Sequence, residues 1–259
     1  MRFGVCAGYQ EVAALETIPF DYLEEGVQRF LMPERPQEEF ERALRGAQAL
    51  SVRIEAANAM LPADLVLIET ASQRVDAPRL ERYMRTALAR AEQAGIRLIV
   101  FGSGAARRCP PDGTIEESTR QIGEHLARWS EWAAEHAVTF ALEPLGRGET
   151  NVLNTVAEAA TLIEALGLPN VRLLADSYHM ACNGEAAESL IAAVPLLAHV
   201  HVAELRDRAA PGRHGEDFRP YFAPLRGGDY SGRISIECDW QDFATDVAPA
   251  VATLRAQWA

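Results

Sequence analysis

The 259-residue chain has four cysteines, Cys6, Cys109, Cys182 and Cys238, but they are scattered and none forms a CxxC pair. That spacing offers no paired-thiol motif and suits a reduced, cytoplasmic setting. An excess of basic residues is also missing. The formal charge of −12 and isoelectric point near 5.0 weigh against a nucleic-acid backbone as the main partner. No apolar run approaches a membrane span, so no membrane partner is expected. The opening Met1-Arg-Phe-Gly-Val-Cys-Ala runs straight into a strand pattern and does not resemble a cleaved signal. After that strand, Cys6-Ala-Gly8-Tyr-Gln does not match GxGxxG, and Gly102-Ser-Gly104 lies too deep and lacks the third glycine. Both points argue against an open, doubly wound dinucleotide-binding sheet.

What is present is alternation. Residues 2–7 read as a first strand and 22–27 as a poorer second one. Residues 36–50 read as helix, with acids early and Arg42 and Arg45 late. A third strand at 52–57 leads into Asn58, and a helix at 78–94 stops at Gly95, a C-terminal cap. A β-branched fourth strand at 97–101 enters a glycine-rich loop, and 115–137 is helical again. Further helices are expected near 155–166, 186–193 and 243–256, with only a short one in 217–232. There is no Ser/Gly-rich linker and no internal repeat. At 48% hydrophobic content, the pattern predicts one α/β domain over residues 1–259. A (β/α)8 barrel takes roughly 250 residues and fits with little left over.

Four apolar runs in the second half each end on an acid or an imidazole. They read Val138-Thr-Phe-Ala-Leu-Glu143, Val171-Arg-Leu-Leu-Ala-Asp176, Leu197-Ala-His-Val-His201 and Ile234-Ser-Ile-Glu237. The intervals of 33, 25 and 36 residues match successive strand-plus-helix units, so the four side chains converge at the carboxyl end of one barrel. Singly, Glu143 could be a loop acid and Asp176 a helix N-cap. Together they would repel one another in a partly dry pocket, and a divalent cation removes that conflict. A Glu/Asp/His/Glu set suits Mn²⁺, Mg²⁺ or Co²⁺, with Zn²⁺ less favoured by so many oxygens. His199 and His201 share one face, and one is a ligand and the other structural; the strand end favours His201. His125 and His136 are expected at the surface.

These segments carry a resemblance. Leu142-Glu-Pro-Leu-Gly-Arg-Gly-Glu-Thr-Asn-Val-Leu-Asn154 is similar to the fifth-strand motif of the sugar isomerase/epimerase family with a xylose isomerase-like TIM barrel. The ketose 3-epimerases of the tagatose and psicose type are closest in motif. Asp176-Ser-Tyr-His-Met180, His199-Val-His-Val-Ala-Glu204 with Arg208-Ala-Ala-Pro-Gly212, and Ser235-Ile-Glu237 resemble its sixth-, seventh- and eighth-strand segments. The resemblance implies Glu143, Asp176, His201 and Glu237 as ligands of one divalent ion, with Glu143 and Glu237 also the catalytic acid/base pair. It implies Glu149, His179 and Arg208 as residues that hold substrate hydroxyls. Arg208 lies seven residues after His201 where the family implies six, which leaves Arg206 as a competing candidate. The implied partner is a small sugar, and a homodimer is the oligomeric expectation.

The implied chemistry has its own logic. A C–H beside a carbonyl is a poor acid, and a cation bridging the carbonyl and neighbouring hydroxyl oxygens stabilises the enediolate. Two glutamates on opposite sides of the sugar allow one to take a proton and the other to return one. Return to the opposite face epimerises; return to the adjacent carbon isomerises. An inosose dehydratase-like lyase would use the same groups to expel a hydroxyl. An endonuclease IV-like phosphodiesterase would need further histidines, which strands three and four do not supply. A non-catalytic sugar-binding protein would not need both acids. Arg107, Arg108, Arg147, Arg206, Arg208 and Arg213 all follow strands four, five and seven, where they either bind a phosphate or carboxylate or balance local acids. Tyr9 and Trp240 either stack on the substrate or fill the barrel mouth.

Overall fold

The computed structural model describes residues 1–259. Eight parallel strands follow one another around a closed barrel, each hydrogen-bonded to the next and the last to the first. They are β1 (Arg2–Cys6), β2 (Tyr22–Gly26), β3 (Ile54–Asn58), β4 (Leu98–Phe101), β5 (Thr139–Leu142), β6 (Val171–Asp176), β7 (Leu197–Val202) and β8 (Arg233–Ile236). The outer layer comprises α1 (Tyr9–Ala13), α2 (Gln37–Gln48), α3 (Ala77–Ala94), α4 (Ile115–Glu135), α5 (Val156–Leu166), α6 (Ser177–Cys182), α7 (Leu190–Ala193), α8 (Arg219–Gly227) and α9 (Phe243–Trp258). No helix is long and apolar enough to cross a membrane. This is the (β/α)8 barrel the strand spacing predicts.

The helix caps follow local chemistry. Gly95 takes a φ of 76° and ends α3. Thr155 and Glu158 form a reciprocal capping box at the start of α5. One expected helix differs: residues 186–193 break into a 3₁₀ turn, the four-residue α7 and a second 3₁₀ turn at Val194–Leu196. Pro195, lacking an N–H, sits where a longer helix would have to continue. The helices α1 and α6 and the π turn at Val27–Leu31 are not evident in the sequence pattern.

The barrel interior is divided. Ala56, Leu98, Val100, Ala141 and Leu174, from β3 to β6, form a small apolar cluster separate from the main core. Across from it Tyr22, Glu24, His199, His201 and Ser235, from β2, β7 and β8, are fully buried and polar. At the opposite, N-terminal rim Glu55 accepts hydrogen bonds from Arg2 and Arg233, tying β1, β3 and β8 together. Burial acts to raise its proton affinity, but the two guanidiniums outweigh that and hold the carboxyl below its usual range.

Candidate active site

Period-two alternation along each strand aims one residue at the carboxyl-end mouth. Glu143 and Glu237 each follow the last residue of a strand, while Asp176 and His201 lie within β6 and β7. Glu143, Asp176, His179 and Glu237 bring one ligand atom each to within 4.8 Å of the others. His201 stands against this group, its Nδ1 lying 3.4 Å from both Glu143 Oε1 and Glu237 Oε2. Gly102 makes the approach of Glu143 feasible, because a Cβ there would fall 2.4 Å from its carboxylate oxygen.

Asp176 satisfies both readings of its position. Oδ1 caps α6 by accepting from the Tyr178 N–H at 2.7 Å, while the buried Oδ2 has no hydrogen-bond partner. His179, one turn on, accepts the Gly146 N–H on Nδ1 at 3.2 Å, which leaves Nε2–H turned towards the Asp176 carboxylate 3.7 Å away. His201 is oriented the other way. Its Nε2 bonds Glu24 at 3.0 Å, and the buried Nδ1 lacks a partner.

Arg208 is the guanidinium that enters the site. It bonds the Glu237 carboxylate, lies 3.6 Å from Glu149 and 3.8 Å from Asp176, and stacks 4.8 Å over the Tyr178 ring. Arg206 is largely exposed and pairs with Asp207. The two consecutive left-handed residues Asp207 (φ 61°) and Arg208 (φ 46°) turn the chain so that the seventh residue after His201 reaches inward. Glu204 anchors this loop from below. Fully buried, it accepts the backbone N–H groups of Gly212, His214, Gly215 and Glu216.

The carboxylates differ in proton affinity. Burial pushes Asp176 up to about 6, with Glu237 adding to the effect, and burial likewise raises Glu143. Glu237 is also penalised by burial, but His201 and Arg208 outweigh that and lower it to about 2. The two glutamates thus sit in different surroundings, Glu237 against the Arg208 guanidinium and Glu143 in a drier position beside β5.

Other expectations resolve individually. Arg107 is buried and donates to backbone carbonyls, including that of Glu143 at 2.7 Å. Arg108 donates to the carbonyls of Gly148 and Glu149, and Arg213 pairs with Asp246. These three brace loops. Tyr9 packs on Phe30, and Trp240 donates to the Cys6 carbonyl while its ring rests on Phe243, so both have structural contacts. His125 is half-buried rather than superficial, stacked on Trp129 and bonded to the Leu67 carbonyl. His136 is also partly covered, paired with Glu92.

Sequence reasoning missed Glu24, Asn58, Tyr178 and Glu204. The signal for Glu24 was there: two adjacent glutamates inside a strand pattern demand that one point inward, where it needs partners. Cys6 was also passed over as a site neighbour, although its sulfur lies within 4.8 Å of ligand atoms of His201 and Glu237.

The donor set fits a divalent cation on internal grounds. Glu143 Oε1, Asp176 Oδ2 and His201 Nδ1 are all buried without a hydrogen-bond partner, an arrangement costly unless something positive meets them. The fold and site thus define a (β/α)8 barrel with an acid-rich, cation-competent mouth. The chain belongs to the xylose isomerase-like TIM barrel family, whose sequence profile matches residues 12–257. It is 34% identical over 135 residues to L-ribulose 3-epimerase of Methylomonas sp. (strain DH-1), covering 51% of this chain and 46% of that protein. It is 31% identical over 134 residues to 3-dehydro-D-guloside 4-epimerase of Escherichia coli (strain K12), covering 50% and 51%. The matched region is thus about half the length of these curated relatives. A crystal structure of D-psicose 3-epimerase in the presence of D-fructose superposes with a TM-score of 0.82 at 21% identity, covering 100% of this chain and 99% of that one. At that identity the likeness speaks to the fold.

Proposed function

We propose that the protein is a divalent-metal-dependent epimerase or isomerase of a small ketose, acting by proton transfer between its two site glutamates. The observation that carries this reading is the placement of Glu143 and Glu237, from β5 and β8, each 3.4 Å from the same His201 nitrogen and held at different proton affinities. Relatives named as 3- and 4-epimerases support the same class.

Glu143, Asp176, His201 and Glu237 would hold the ion. His201 is a better ligand than His179, because its Nδ1 has no partner whereas that of His179 accepts the Gly146 N–H. Mn²⁺, Mg²⁺ or Co²⁺ suits this oxygen-rich set better than Zn²⁺. When bound, the ion supplies positive charge beside the carbonyl and hydroxyl oxygens of an enediolate.

The chain's own groups do the rest. One of Glu143 and Glu237 takes the proton from carbon, and the other returns one from its own side of the pocket. Nε2–H of His179 and the guanidinium of Arg208 donate to neighbouring hydroxyls, and Glu149 accepts from one. The sequence contains no lysine, so an imine with the substrate carbonyl has no nucleophile here. Arg107, Arg108 and Arg213 are committed to loop contacts, whereas Arg147 is exposed, so free and phosphorylated ketoses both belong to the reading.

The test is a panel of ketoses, aldoses, their phosphates and inososes incubated with Mn²⁺ in deuterated water and read by NMR. Deuterium entering at a carbon beside a carbonyl, with a new epimer or isomer, is the expected result. Turnover without label would overturn the proton-transfer mechanism. Loss of water as the sole reaction would make the protein a lyase, and cleavage of abasic DNA far above any sugar turnover would overturn the assignment altogether.

A further inference from the structure

Beneath the site runs a buried polar network that the proposed chemistry does not itself use. Glu24, on β2, has no solvent exposure. Its Oε1 bonds His201 Nε2 at 3.0 Å, and its Oε2 bonds His199 Nε2 at 2.7 Å and accepts from Ser235 Oγ at 2.7 Å. The Tyr22 hydroxyl bonds Ser235 Oγ at 2.8 Å, closing the network from the side. A carboxylate contacted from three sides has no room to rotate, and it sets the plane of each imidazole it touches. The geometry points to Glu24 as the positioning residue for His201 in cation binding: by engaging Nε2 it holds the ring so that Nδ1 faces Glu143 and Glu237 and is the nitrogen available to a cation.

Three features separate this role from simple charge balance. An imidazole whose one nitrogen donates to a carboxylate presents the other as a lone pair, and the carboxylate makes that lone pair more basic. Nδ1 is buried without a partner on both His199 and His201, but that of His201 is the one that faces the two glutamates. His199 is held by the same carboxylate, yet its ring sits edge-on beneath His201, with centroids 4.9 Å apart and planes at 79°, so it supports the ring above. Glu24 is thus assigned to cation binding and His199 to stability.

This inference rests on the metal reading above, and the experiment keeps the two apart. Mn²⁺ affinity would be measured by calorimetry at pH 8 for the wild type, Glu24→Gln, Glu24→Asp and His199→Gln, each with a melting curve. Removing or retracting the carboxylate is expected to weaken Mn²⁺ binding about 10- to 100-fold. His199→Gln is expected to lower the melting temperature but keep affinity within about threefold, since it leaves the Glu24–His201 bond intact. Nitrogen NMR of the wild type loaded with diamagnetic Mg²⁺ gives a readout that needs no variant to fold. There His201 is expected to carry its proton on Nε2. Wild-type binding together with unchanged affinity in the folded Glu24 variants would overturn the inference alone, as would a proton on Nδ1 in the loaded protein. A wild type that binds no divalent ion would overturn the functional reading as well.

Discussion

The side-chain amide of Asn58, at the end of β3, donates to Oε1 of Glu237, beyond β8, at 2.8 Å. This bond spans 179 residues of sequence and fixes which Glu237 oxygen is committed and which faces the site. Hydrogen bonds to charged groups contribute about 1.5–3 kcal/mol, so Asn58→Ala should lower kcat roughly 10- to 100-fold if the base must be held in place. Steady-state kinetics with a matched melting curve checks this; an unchanged kcat would show that Glu237 needs no such restraint.

Glu143→Gln and Glu237→Gln should each lower turnover by at least about 10²-fold while the barrel stays folded, because an amide cannot carry the proton. Circular dichroism would confirm the fold, and solvent-deuterium incorporation would report which half of the exchange survives. Full exchange in either variant would remove that residue from the acid/base pair.

Arg208→Lys is expected to behave like Arg208→Ala, raising KM, although it retains the charge. The planar guanidinium contacts Glu237 and Glu149 while stacking on Tyr178, and a lysine ammonium cannot reproduce that set. Recovery of wild-type KM by the lysine variant would show that charge alone suffices.

Dialysis against a chelator should lower the melting temperature, and Mn²⁺ should restore it. An ion present at a hundredfold over its dissociation constant contributes about 2.7 kcal/mol to the folded state. Differential scanning fluorimetry with metal add-back measures the shift, and its absence would count against a resident ion.

Glu55 provides a pH test remote from the site. Its carboxyl is held below the usual range when folded, so its contribution is present above the unfolded value of about 4.3 and is lost as pH falls through the folded value. The stability gap between wild type and Glu55→Gln should therefore be constant near neutrality and shrink as pH drops below about 4.5. A gap that widened on acidification would reverse the sign assigned here.

The barrel was legible in the sequence because β4 to β8 are short buried runs of nearly continuous apolar residues, four of them ending at a polar group that a buried strand does not otherwise carry. The β2 segment Tyr22-Leu-Glu-Glu-Gly26 was harder to read. Adjacent glutamates lower its apparent strand character, and the partners that justify Glu24 lie 175 and 177 residues away. Glu25 is explained by local contacts, accepting from the Tyr9 and Gly26 backbone and pairing with Arg29. Asn58 was visible as the residue after a strand, but only closure of the sheet brings it to Glu237. Arg208 was implied by the resemblance, but the two left-handed residues that carry it inward are a backbone property that no spacing rule discloses.

Glu204 grips the loop 212–216 solely through main-chain N–H groups. The side chains of His214 and Glu216 take no part in that grip, whereas Gly212 and Gly215, at φ 91° and 81°, give the backbone the shape it needs. A Cβ at Gly212 would also fall 2.6 Å from Thr253 Oγ1. The segment next to Arg208 is therefore held by backbone conformation, and exchanging either glycine would disturb it more than exchanging the side chain at 214.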